Sequence, residues 1–338
     1  MTVASQSSGR RVTAADIARS LGVSRATVGF VLNETPGQTI SPATTARVLA
    51  EARRLGYRPH IAARALASGR SHLVLLVLPD WPIEHSLREN IDEATQALDE
   101  HGYTLITFTP HEGARSRPLW ETLQPDVVMG LLRFPAPLIR SMREAGVERI
   151  IPDPDEASNT RYSEGGPRLQ VEHLHELGHR RLGFARPGDP RLVELADARE
   201  AAATAAAVNL GLEAPRTLEP VCVGSELDPP VQAWVDAGIT GVVAFNDDVA
   251  AAIIGAAARA GIAVPRSLSV VGHDDTPTAL MFEPRISSVQ IDSTGLGHYL
   301  AALAIHALDG TPTPDWEQTS AVTLISREST SVSPSTQE

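Results

Sequence analysis

From His72 onward the chain repeats one pattern: a short apolar run ending in polar residues, then an amphipathic stretch of helical period. The runs are LVLLVLPD (73–80), TLITFTP (104–110), PDVVMGLL (125–132), RLGFARP (181–187), GVVAFNDD (241–248) and SLSVVGHDD (267–275). IDEATQALDEHG (91–102) is a representative helical stretch. Such runs read as strands buried on both faces, and alternation with helices joins strands in parallel, so an α/β body is predicted. In open sheets of this class a ligand binds beyond the carboxyl ends of the strands. Asp80, Asn246, Asp247, Asp274 and Asp275 lie there, placed either to hold a small polar molecule or to cap the following helix.

The first seventy residues are built differently. Ten arginines stand against Asp16, Glu34 and Glu51, a charge of +7 at the head of a chain whose net charge is -12. A basic head on an acidic body fits contact of the head with a polyanion, although a solvated basic tail gives the same letters. Thr13-Ala-Ala-Asp16 has capping-box form ahead of the apolar stripe Ile17, Ala18 and Leu21, which predicts a helix over 14–21. Gly22-Val23 interrupts it, and Ser24 is placed to cap a second helix running to Leu32, the spacing of a helix-turn-helix.

On that second helix Thr27, Val28, Val31 and Leu32 fall on a packing side, while Arg25, Ala26, Gly29, Phe30 and Asn33 are presented. An arginine, small residues and an exposed aromatic suit a major groove, where Arg bridges guanine and a ring meets a thymine methyl. The alternative is that Phe30 belongs to the core. Ser41-Pro42 opens a third helix that turns Val48, Ala52 and Leu55 inward and ends at Gly56. Beyond Tyr57-Arg-Pro59, the segment Ile61 to Ala67 has good helix propensity but only about two turns, too few to hold in water alone.

Several chemistries are excluded. All 29 basic residues are arginine, so Schiff-base, Walker-type and Ser-x-x-Lys mechanisms have no lysine. The single cysteine, Cys222, reads as a core residue and allows no internal disulfide or thiolate zinc cluster. His175-Glu-Leu-Gly-His179 fits the letters of a zinc-protease motif, but Gly178 is expected to end the helix before the second histidine. With no Gly-x-Ser-x-Gly elbow either, neither an enzyme nor a cofactor is expected. The polar Met1–Arg10 segment and the lack of an apolar run near ~18 residues point to the cytoplasm, with no membrane partner.

VTAADIARSLGVSRATVGFVLN (12–33), ARVLAEARRLGYRP (46–59) and ARALASGR (63–70) together resemble the headpiece and hinge of the lactose-repressor (LacI/GalR) family of bacterial transcriptional regulators. Leu-Gly-His-Arg (177–180), Asn246-Asp247, Val264-Pro265, Val-Gly-His-Asp-Asp (271–275) and Arg-Glu-Ser-Thr (327–330) stand where that family has its landmarks. The resemblance implies a small all-α helix-turn-helix headpiece (1–59) and a hinge helix (60–70). A two-lobed α/β domain like the periplasmic binding proteins (71–330) would bind effector and dimerise, its Rossmann-like lobes joined by three crossovers, and 331–338 would be a flexible tail.

It further implies a homodimer on a pseudo-palindromic operator in double-stranded DNA, near the nucleoid when bound, with repression governed by a small-molecule effector. A transcriptional activator is the alternative, and a small-molecule-binding module without a DNA role the remote one. The DNA-contacting set is Thr13, Ser24, Arg25, Ala26, Thr27, Phe30 and Asn33 in the head, with Ala63 and Leu66 in the hinge. By position Leu66 would wedge between central base pairs in the minor groove. The family's effector positions map onto Arg199, Asn246 and Asp274, and the strand-end residue Asp80 completes the candidate set. Arg199 would donate to hydroxyls or a carboxylate, and Asp274 would accept from hydroxyls.

Three departures stand out. Gly29-Phe30 replaces the family's usual Ser-Arg, Arg199-Glu-Ala-Ala-Ala203 replaces Arg-x-x-Gly-aromatic, and Gly165 stands where a polar residue is expected. The effector is therefore open between a sugar or related metabolite, a different ligand, and a partly degenerate pocket.

Overall fold

The computed structural model describes residues 12–32, 37–57, 70–111, 117–153, 161–221, 228–314 and 322–334. The chain divides into two compact units, Met1–His72 and Leu73–Glu338.

The first unit holds α1 (Ala14–Leu21), α2 (Arg25–Leu32) and α3 (Pro42–Arg54). The Asp16 carboxylate accepts from the Thr13 amide at 2.9 Å and the Thr13 hydroxyl at 2.7 Å, fixing the start of α1. Gly22 ends it in the left-handed region, at φ +67°. Ser41 Oγ accepts from the Thr44 amide at 3.2 Å and starts α3. Ile17, Ala18, Val28, Val31, Val48 and Ala52 close one small core. Arg47 reaches the Leu21 carbonyl at 3.3 Å, and the Ser20 hydroxyl donates to Glu51, so two polar links tie α1 to α3. Hydrogen bonds from Arg54 and Ser20 pull the Glu51 carboxyl down to about 2.

The second unit has two sheets. The first, in the order β2-β1-β3-β4, joins β1 (Leu73–Val77), β2 (Thr104–Phe108), β3 (Val127–Gly130) and β4 (Ile150–Ile151), all parallel. Its helices include α4 (His85–Glu100), α5 (Leu119–Leu123) and α6 (Ala136–Glu144). The second sheet comprises β5 (Leu182–Pro187), β6 (Arg216–Val221), β7 (Gly241–Ala244), β8 (Ser269–His273), β9 (Ser287–Ile291) and β10 (Val322–Ile325). Their order is β10-β9-β8-β7-β5-β6, parallel except where β10 meets β9. Around it run α7 (Arg161–Glu176), α8 (Val193–Asn209), α9 (Asp228–Asp236), α10 (Asp247–Arg259) and α11 (Pro277–Met281). All six apolar runs picked out in the sequence form strands.

α12 (Ser293–Asp309) leaves the second sheet yet packs on the first, where Leu300, Ala301, Ala304 and Leu308 join Val74, Leu76, Ala94 and Leu98. Only Asp292 lies between β9 and α12, and its carboxylate accepts from the Gly295 amide at 2.9 Å. A Cβ on Gly297 would come within 2.5 Å of Glu93 Cβ and 2.8 Å of the Asn90 carbonyl oxygen, so α4 and α12 meet backbone to backbone. The lobes thus exchange chain between β4 and α7, at Asp292, and between α12 and β10.

Two expectations are corrected. The tail expected to be free from residue 331 is docked through its described part: the Ser333 amide donates to the Leu177 carbonyl at 2.8 Å, and Ser333 is buried. On α2, Phe30 is half-buried rather than fully presented, yet it lies outside the headpiece core cluster. The zinc-motif letters resolve as predicted. α7 ends at Glu176, Gly178 turns at φ +87°, and buried His179 places Nδ1 2.8 Å from Thr240 Oγ1 and Nε2 3.0 Å from the Ser331 carbonyl. A carbonyl only accepts, so Nε2 carries the proton and Nδ1 accepts from the threonine.

Candidate functional site

The first candidate surface is the N-terminal face of α2. Ser24 Oγ accepts from the Thr27 amide at 2.9 Å and lies 2.8 Å from its hydroxyl, so Thr27, assigned from the helical wheel to the packing side, is held by the cap. Val28 and Val31 alone on α2 are buried. Ser24, Arg25 and Ala26 are exposed in a row, as is Thr13 at the start of α1. Among the described residues Arg25 has no ion pair or hydrogen-bond partner, whereas Arg19 pairs with Asp16 and Arg54 with Glu51. An exposed, uncommitted guanidinium at a helix start is free to meet an external acceptor. Asn33, Ala63 and Leu66 lie outside the described residues.

The second candidate is a cavity of about 520 Å³ between the two lobes, at the carboxyl ends of the strands. Arg199 enters it from α8, donating Nη1 to the Phe245 carbonyl at 2.5 Å and Nη2 to Asp274 Oδ1 at 3.2 Å, while its guanidinium lies 4.6 Å from the Phe245 ring centre. Asp274 follows β8 at φ +90°, a conformation a non-glycine residue rarely adopts and one that clusters at functional sites. Its amide donates to the Val289 carbonyl at 2.7 Å, and His273 Nδ1 lies 2.6 Å from its carboxylate. Burial would raise the Asp274 carboxyl, but the Arg199 charge and then His273 hold it well below the usual range. A Cβ on Gly166 would run into the buried His273 ring, so α7 needs glycine there.

Of the two roles foreseen for Asn246 the structure displays the cap, and the residue is absent from the lining of the 520 Å³ cavity. Its Oδ1 caps α10 through the Val249 amide at 2.9 Å, and its Nδ2 donates to Glu84 Oε2 at 3.1 Å, linking the lobes. Asp247 and Asp275 are braces. Asp247 accepts from Ser288 Oγ at 2.6 Å and from the Thr276 amide at 2.6 Å, and Asp275 pairs with Arg327 at 2.6 Å.

Asp80 is a correction: it is exposed and absent from the cavity lining, because the chain turns at Trp81-Pro82 and directs Trp81 and Glu84 inward instead. Sequence reasoning missed Trp81, Glu84, Asn90 and Phe245. The signal that could have flagged Glu84 is its place just ahead of α4, beyond the end of β1. Burial first, and then the Asp274 charge, push the Glu84 carboxyl up.

Burial also sets a pH response. It lowers His173, His179 and His273 below the usual histidine range, so their contribution to stability is complete above about pH 6.5 and lost on acidification. Burial pushes the Asp247 carboxyl the other way, up to about 7 against hydrogen bonds from Ser288 and Thr276, so its contribution is lost as pH rises from about 4 to 7. Asp247→Asn keeps the histidines and removes the opposing carboxylate. Urea melts of this variant should lose stability more steeply than the parent between pH 7 and 5; parallel slopes would contradict the assignment.

Comparison with known proteins bears on both surfaces. Residues 13–60 match the family described as bacterial regulatory proteins, lacI family, and residues 171–330 match the periplasmic binding protein-like domain. The HTH-type transcriptional regulator MalR of Streptomyces coelicolor is 31% identical over 351 residues, covering 95% of this chain and 97% of that protein. The regulator CelR of Thermobifida fusca is 29% identical over 328 residues, covering 90% and 94%. Among solved structures, the Lac repressor dimer bound to operator and the anti-inducer ONPF superposes with a TM-score of 0.72 at 20% identity, covering 95% of this chain and 100% of that one. The CelR–cellobiose complex gives 0.61 at 24% identity, covering 94% and 100%. With helix-turn-helix head and two-lobed α/β body both matched along nearly its whole length, the chain belongs to the LacI family of bacterial regulatory proteins.

Proposed function

We propose that the protein is a ligand-responsive transcriptional repressor that binds a pseudo-palindromic operator as a homodimer. The observation that carries this is the row Ser24, Arg25 and Ala26, exposed at the start of α2 within a basic head, with Arg25 unpaired among the described residues. Arg25 reads a base edge; Thr13 and Ser24, at two helix starts, meet phosphates. Ala26, Thr27, Phe30 and Asn33 complete the groove contact. Ala63 and Leu66 act in the minor groove. Leu280 and Met281, 55% and 78% exposed side by side on α11, form an apolar patch suited to burial against a second copy. Effector in the cleft changes the lobe angle and with it operator affinity, and the two affinities are reciprocally coupled. Neither catalysis nor a cofactor is assigned, and the site of action is the cytoplasm, at the nucleoid.

Selection of duplexes from a random library by the purified full-length chain tests the proposal. Enrichment of an inverted repeat is expected, and recovery of no preferred sequence at moderate salt would refute it. Arg25→Ala should weaken the selected site by ~1–3 kcal/mol and relax preference at one base pair per half-site. A uniform loss across sequences would make Arg25 a phosphate contact. Leu66→Ala should weaken operator binding by about a few kcal/mol, as a lost wedge forfeits the bend, with the body's melting unchanged. Gel shifts with bent and straight operators separate the two contributions.

A further inference from the structure

α2 sends Val28 and Val31 into the headpiece core and turns another face outward. At about 100° per residue, Arg25, Gly29, Ala26 and Phe30 follow one another round that outward arc. Bulk stands at its two ends and almost none in its middle. Arg25 and Ala26 are exposed, and Arg25 has no partner among the described residues. Phe30 is half-buried, yet it stands outside the core and outside the partly buried side chains packed on it. Folding does not account for Gly29. It is helical, without a positive φ, and a Cβ built there would meet nothing within 4 Å. Alanine would favour the helix, because glycine loses more chain entropy on becoming helical. What glycine supplies is room: between Arg25 and Phe30 the α2 backbone can come close to a partner.

We propose that this face reads a guanine and a thymine lying within about two base pairs of each other, the guanine bound by Arg25 and the thymine 5-methyl seated over Gly29 and Ala26 against the Phe30 ring. This rests on the reading of α2 as the helix that enters the major groove. The thymine methyl is the one apolar group on the base edges there. Adenine, cytosine or guanine in its place would lay amino groups or ring nitrogens on an apolar wall, stripped of water without a partner. Arg25 and Phe30 are five residues apart, a rise of about 7.5 Å against about 3.4 Å per base pair, which sets the spacing.

The test uses the full-length chain and the duplex it enriches from the random library, each thymine being replaced in turn by deoxyuridine, which lacks only the methyl. One such exchange, within about two base pairs of the position whose preference Arg25→Ala relaxes, should weaken binding about fourfold per half-site, the effect of burying one methyl. Gly29→Ala fills the trough. It should bind the parent duplex at least about tenfold more weakly and no longer distinguish thymine from deoxyuridine, while its headpiece melts no lower than the parent's. Phe30→Ala should also level the two bases; if that headpiece does not fold, Gly29→Ala carries the test, since nothing in the head resists the added methyl. A duplex in which no thymine responds to the exchange, or parent-like discrimination in Gly29→Ala, would overturn the inference while leaving the regulatory reading intact. Recovery of no preferred duplex would sink both.

Discussion

Arg199→Met is expected to lower the stability of the body by about 3–5 kcal/mol, the range for removing one partner of a buried ion pair. The substitution strands the Asp274 carboxylate, whose side chain is 10% exposed, with His273 as its remaining partner. It also leaves the Phe245 carbonyl without the donor that sits 2.5 Å away in the parent. The pH dependence separates these losses. In the parent the Asp274 carboxyl is depressed, so its contribution is present above about pH 4 and lost only as pH falls through the lowered value. In the variant burial acts unopposed by Arg199 and raises that carboxyl, which reverses the sign: stability is then lost as pH rises. Urea melts should therefore show a larger deficit at pH 8 than at pH 5, and Arg199→Met with Asp274→Asn should recover a substantial part of it. Equal deficits at both pH values would show that lost packing, and not the stranded charge, is responsible.

Ile17→Ala should abolish operator binding. Ile17 is fully buried in a core of six side chains, and truncating a buried isoleucine to alanine typically removes about 2–5 kcal/mol. A unit of this size has about that much stability in total, so the helix-turn-helix is expected to unfold. The body is a separate compact unit, and its melting transition should not move. Calorimetry of the two transitions together with a gel shift checks this. Parent-like operator affinity in Ile17→Ala would mean that α2 does not need the core beneath it to be presented.

The parts of this molecule legible in the sequence are those decided within a few residues. α1 and α2 begin and end at the expected residues because Thr13, Asp16, Gly22 and Ser24 satisfy their own backbone neighbours, and Gly178 stops α7 short of His179 for the same reason. Strands written in valine and leucine were equally plain. β9 was not, since Ser287 and Ser288 look like loop residues until Ser329, Thr330 and Asp247 bond to their backbone and hydroxyls across the fold. A helical wheel presents Phe30 fully, because it cannot weigh what surrounds one end of an eight-residue helix.

In the cleft Arg199 and Asp274 are identifiable singly in the sequence, but their engagement with each other is not. Whether an arginine near a strand end is free for a ligand depends on Phe245 and Asp274, forty-six and seventy-five residues away. Asp80 and Glu84 are both acidic and four positions apart, and only the turn at Trp81-Pro82 decides which one faces inward. The apolar wall of the cavity is hidden for a similar reason, as Leu131, just past β3, and Leu303, on α12, each look like ordinary core residues.

One short connection governs how the two lobes can move. Asp292 alone separates β9, fixed in the six-stranded sheet, from α12, whose Gly297 lies directly against the backbone of α4 in the other lobe. A single residue cannot stretch, so sliding of one lobe over its neighbour is barred. Rotation about the backbone torsions at that point is the freedom that remains. Whatever occupies the cleft acts on the molecule as a wedge acts on a door, by setting an angle about a fixed pivot.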